Sequence, residues 1–190
     1  MSPVQAWLII STCVLSWLAM QGVHELGHCL AAWSTGGVVA HVELTPLEIS
    51  RTDLSVNPRP LIVAWGGPLF GATAPLALWL AMRIAVGRYA FLYRFFAGFC
   101  LVANGAYLTG GSWQRMGDAG DLIRNGAQVW QLLAFGVPAV IGGLYLWNGL
   151  GPNFGLGTRP LPIERRSAIG VTSILAAVVV AEWIAAASSR

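Results

Sequence analysis

His24-Glu25-Leu26-Gly27-His28 sets two imidazoles and a carboxylate into five consecutive residues of an otherwise apolar run. Residues four apart on an α-helix lie about 40° apart around its axis and one turn apart along it, so both imidazoles can reach one metal ion. Glu25 then sits beside that ion. In the HExxH arrangement the glutamate is the general base that takes a proton from a zinc-bound water, and the zinc lowers the pKa of that water towards about 7. The chemistry these residues point to is metal-assisted hydrolysis of a peptide bond.

Two histidines leave a catalytic zinc one protein ligand short, because such sites usually keep three protein ligands and one open position. The chain has eight acidic residues. Glu43, Glu48, Asp53 and Glu164 fall in polar connectors and read as solvated. Glu182 lies near the end of the last apolar segment, where its carboxylate can snorkel to the membrane interface. That leaves Asp118 and Asp121, which follow an apolar segment and stand among glycines that let a backbone come close. His41, the third histidine, falls on the polar face of a candidate strand and reads as a solvated strand residue. Cys13, Cys29 and Cys100 lie within apolar segments, where free thiols act as small buried hydrophobes. Cys29 adjoins His28 but points about 100° away from it around a helix.

The elements that must hold these groups are set by composition. Apolar residues make up 56% of the 190 residues and charged ones 10%, against about 25% charged in a typical soluble domain. This pattern reads as one integral membrane domain over residues 1–190, an all-α polytopic protein. Every basic residue is an arginine, and the arginines are scattered among connectors with no basic patch for nucleic acid. About five transmembrane helices are expected, near 5–33, 61–85, 90–108, 129–150 and 168–187. The start of the chain lacks a charged n-region and a cleavage site, so the first apolar run is expected to stay as a membrane helix. Thr35-Gly36-Gly37 should end it.

Residues 38 to 56 break the apolar pattern. Val38, Ala40, Val42 and Leu44 alternate with Val39, His41, Glu43 and Thr45, and after Pro46 the residues Leu47 and Ile49 alternate with Glu48 and Ser50. Period-two alternation predicts a short β-hairpin, whose edge could pair with an extended polypeptide. In the second helix, Trp65-Gly66-Gly67-Pro68-Leu69-Phe70-Gly71-Ala72 is rich in the small residues that allow close helix packing in lipid. A role in shaping a substrate groove is the alternative reading of the same residues. Residues 109–124 read as a glycine-rich irregular segment.

HELGH in the first membrane helix, Gly66-Gly67-Pro68-Leu69 opening the second, and Asn104 followed by Gly117-Asp118-Ala119-Gly120-Asp121-Leu122-Ile123-Arg124 together resemble the site-2 protease family of intramembrane zinc metalloproteases. The chain departs from the family pattern in a longer Asn-to-Asp interval, in the absence of prolines within it and in Ala119 at the first glycine. The resemblance covers roughly residues 5–125 as a metalloprotease-like core and leaves the two helices within 129–187 unassigned. It implies Zn²⁺ held by His24, His28 and Asp118, with Asp121 the second choice, Glu25 as the catalytic base and Asn104 as a substrate-positioning residue. It also implies cleavage of membrane-protein or peptide substrates within the lipid bilayer, the expected location being a bacterial cytoplasmic membrane. A rival reading is a zinc-binding membrane scaffold without activity. The arginines at 83–94 and 151–166 favour the cytoplasmic side for those two segments, whereas the resemblance puts HELGH nearer the cytoplasmic face.

Overall fold

The computed structural model describes residues 1–46 and 50–188. Among them, five helices are long and apolar enough to cross a membrane, and the protein is a multi-pass integral membrane protein. Helix α1 (Pro3–Ser34) leads to a hairpin of β1 (Val38–Glu43) and β2 (Arg51–Val56). Helices α2 (Pro60–Ala85), α3 (Ala90–Gln114), the short α4 (Gly117–Arg124), α5 (Val129–Trp147) and α6 (Arg165–Ser188) follow. The expected five-helix, one-hairpin architecture is therefore present.

Local chemistry fixes the ends of α1. The Ser2 hydroxyl accepts from the Gln5 amide while the Gln5 side chain accepts from the Ser2 amide, a reciprocal cap with Pro3 in the first turn. The Gln5 carboxamide also donates to the carbonyls of Phe154 and Gly155, tying the helix start to the connector before α6. At the other end Gly36 takes φ 78° and the Gly37 amide returns to the Ala32 carbonyl at 2.7 Å, the expected glycine stop.

Helices α1, α2 and α3 form the centre, with α5 packed on α3 and α6 on α1. Close approach depends on small residues. A Cβ on Gly66 of α2 would come 2.6 Å from the Gly27 carbonyl oxygen of α1, and one on Gly143 of α5 would come equally close to the Gly98 carbonyl of α3. Trp147 stacks on Phe95 with ring centroids 5.5 Å apart and donates to the Phe95 carbonyl. Helix α6 runs beside α1, joined by a 2.7 Å bond from the Trp7 indole to Thr172. The hairpin and α4 lie at one end of the bundle. The two arginine-bearing segments meet at the other, where Arg88 pairs with Glu164 at 2.7 Å and Arg94 reaches the Asn148 carbonyl.

Several details differ from the sequence pattern. Helix α3 continues through Gly110 and Gly111 to Gln114 and stops where Arg115 turns left-handed, and residues 117–124 form α4 in place of an irregular loop. Tertiary packing outweighs glycine's low helix propensity here: Leu108, Ala119, Leu122, Ala127 and Leu132 are buried against one another. The described second strand is Arg51–Val56, and the expected alternation at Leu47, Glu48 and Ile49 lies outside the described residues. Cys13 is exposed on the surface of α1, whereas Cys29 and Cys100 are buried. Glu182 is 9% exposed, and among the described residues its Oε2 has no hydrogen-bond partner.

Candidate metal centre

The HELGH residues occupy the last third of α1, at the hairpin end. His24 and His28 face α2 and α3 across the bundle and are 8% and 7% exposed. Opposite them the N-terminal turn of α4 delivers Asp118. Its Oδ2 lies 2.8 Å from His24 Nε2, its Oδ1 lies 3.3 Å from His28 Nε2, and the two Nε2 atoms are 3.1 Å apart. Ligand atoms of His24, His28 and Asp118 thus converge within 4.8 Å of one another.

The hydrogen bonds behind the cluster decide what the converging atoms are. His28 Nδ1 is 2.8 Å from the Val63 carbonyl oxygen, which can only accept, so Nδ1 carries the proton. His24 Nδ1 is 2.6 Å from Asn104 Oδ1, and the Asn104 amide nitrogen donates to the Cys100 carbonyl at 2.8 Å. That second bond fixes the orientation of the carboxamide, so the oxygen faces His24 and His24 Nδ1 is also a donor. In the neutral imidazoles both Nε2 lone pairs then meet the Asp118 carboxylate. Acceptors this close require a positive charge among them, either a proton or a cation.

The donor set fits a metal ion. Ligand atoms about 2.0–2.1 Å from a tetrahedral zinc are roughly 3.3 Å apart, close to the separations seen. The surroundings leave space for the imidazoles and for nothing bulkier on α2. A Cβ at Gly67 would overlap His28 Nε2 and come 2.7 Å from His24 Nε2, and one at Gly71 would come 2.8 Å from Asn104 Oδ1. Burial acts to raise the Asp118 carboxyl, but hydrogen bonds and charge from His24 and His28 outweigh it and hold Asp118 well below the ordinary carboxylate range. The cluster is a buried group in a polytopic membrane protein that can coordinate a metal.

The cluster opens onto a cleft of about 860 Å³ bounded by α1, β2, α2, α3 and α4. Glu25 lines the same cleft at 3% exposure, and its Oε2 accepts a 2.7 Å hydrogen bond from Thr52 Oγ1 on β2. Tyr107 stands edge-on to His24, and its hydroxyl accepts from the Asp118 amide at 3.3 Å. A side chain at Gly117 would overlap that hydroxyl.

Among the candidates from sequence, His24, Glu25, His28, Asn104 and Asp118 come together here. Asn104, expected to position substrate, spends its carboxamide on His24 and the Cys100 carbonyl and is 1% exposed. Asp121 reaches the cleft rim, where its carboxylate pairs with Arg124 away from the histidines. His41 pairs with Glu43 at 3.2 Å on β1, and Cys29 Sγ lies 4.0 Å from Thr52 Oγ1, outside the cluster. Sequence reasoning missed Thr52, Val63 and Tyr107. Only Tyr107 had a usable signal, standing one helical turn beyond Asn104. Compared with protein-family models, curated proteins and solved structures, the chain matches none of them.

Proposed function

We propose that this chain is a zinc-dependent intramembrane endopeptidase of the site-2 protease type. The observation that carries the reading is the convergence of His24, His28 and Asp118 in one membrane-embedded cleft with Glu25. Ionisable side chains are costly at such depth and usually functional. His24 Nε2, His28 Nε2 and the Asp118 carboxylate would hold the ion. A zinc bound there supplies an acidified water and polarises a scissile carbonyl as a Lewis acid.

The chain's own groups do the rest. Glu25 takes the proton of the attacking water on its carboxylate and passes it to the leaving amide nitrogen. The Val63 carbonyl and Asn104 Oδ1 hold the Nδ1 protons of the two histidines, which keeps both Nε2 atoms turned to the site. A membrane-spanning substrate hides its amides in helical hydrogen bonds, so it must present extended backbone before attack. Strand β2 lines the cleft with Arg51, Thr52, Asp53 and Leu54 and, among the described residues, pairs with β1 alone, which leaves an edge for such a segment.

The test is Glu25→Gln in the purified, zinc-loaded protein, with fluorescein-labelled casein as an unstructured probe. Bound zinc should match the wild type while cleavage falls by at least about 100-fold. A Glu25→Gln protein that cleaves like the wild type removes the peptidase reading. If wild-type protein binds zinc and cleaves nothing, the chain is a metal-binding scaffold.

A further inference from the structure

Gln21, Glu25 and Cys29 are spaced four apart and share one face of α1. That face receives the hairpin. The Ser50 amide donates to Gln21 Oε1 at 3.0 Å, Thr52 Oγ1 donates to Glu25 Oε2 at 2.7 Å, and Cys29 Sγ lies against the same Thr52 hydroxyl. Among the described residues, Thr52 is the sole hydrogen-bond donor to the Glu25 carboxylate. A glutamate side chain has three torsions to fix, and a short bond from the Thr52 hydroxyl restrains them. It occupies Oε2 of a residue that lines the cleft.

We infer that Thr52 is the positioning residue for Glu25, so that the seating of strand β2 on α1 sets the carboxylate from which the proton is handled. This rests on the peptidase reading and deepens it: the strand that offers its edge to an extended substrate is the strand that holds the base. Displacement of β2 from α1 withdraws the hydroxyl and frees the carboxylate to rotate. Misplacing a catalytic group by about 1 Å costs on the order of 100-fold in rate.

The experiment compares Thr52→Val, which keeps shape and removes the donor, with Thr52→Ser, which keeps the donor. With labelled casein and the zinc-loaded protein, Thr52→Val should lower kcat about 10- to 100-fold with KM within about twofold, and Thr52→Ser should restore most of the loss. Equal losses in the two variants, or a kcat for Thr52→Val within twofold of wild type, overturn the inference while Glu25→Gln still tests the peptidase reading separately. A second measurement needs no activity. In protein stripped of metal with EDTA, Thr52→Val should lower the Tm of the wild type and leave that of Glu25→Ala unchanged. An equal drop in both backgrounds shows that the hydroxyl does not act through Glu25 and also overturns the inference.

Discussion

Asn104 Oδ1 lies 2.6 Å from His24 Nδ1, and the same carboxamide is pinned to the Cys100 carbonyl one turn earlier on α3. A residue of one membrane helix thereby sets the tautomer of a residue on another. The imidazole cannot turn its Nε2 away from the site without breaking a buried bond, so α3 supports the candidate metal centre without adding an atom to the His24–His28–Asp118 cluster.

Removing that support should weaken metal binding without abolishing it. Asn104→Leu is expected to lower zinc affinity about 10- to 100-fold in competition against a chromophoric chelator, whereas Asn104→Asp keeps an acceptor and should stay closer to wild type. An affinity unchanged in Asn104→Leu would show that His24 does not depend on this bond.

Gly67 makes a sharper demand. Because a methyl there would occupy the volume of His28 Nε2, Gly67→Ala should eliminate stoichiometric zinc binding while the circular dichroism of the helices stays as in wild type. Gly71→Ala presses first on Asn104 and should resemble Asn104→Leu in its zinc affinity. Full zinc occupancy in Gly67→Ala would mean that the imidazoles stand elsewhere.

Much of this was legible in the sequence because the signals are local. Apolar runs of membrane length give the five helices, Gly36 and Gly37 stop α1, and HELGH puts two imidazoles on one helix face through spacing alone. Elimination left Asp118 and Asp121, and resemblance ranked Asp118 first, but the contacts that separate the two were not legible. Both stand on one short helix, and the choice depends on how α4 docks under α3 through Leu108, Ala119 and Leu122. Leu47 and Ile49 alternate in the sequence as well as Thr52, Leu54 and Val56 do, and the pairing of Val42 with Thr52 is a register that no local pattern encodes. Thr52 was invisible for the same reason: its partner is 27 residues away and is met only once the hairpin folds back onto α1.

If His24, His28 and Asp118 form one zinc site, metal analysis of purified Asp118→Ala and Asp121→Ala beside the wild type will separate the two variants. Wild type and Asp121→Ala should each carry about one zinc per chain, and Asp118→Ala should carry almost none after dialysis against a weak chelator. Wild-type zinc content in Asp118→Ala would contradict the account.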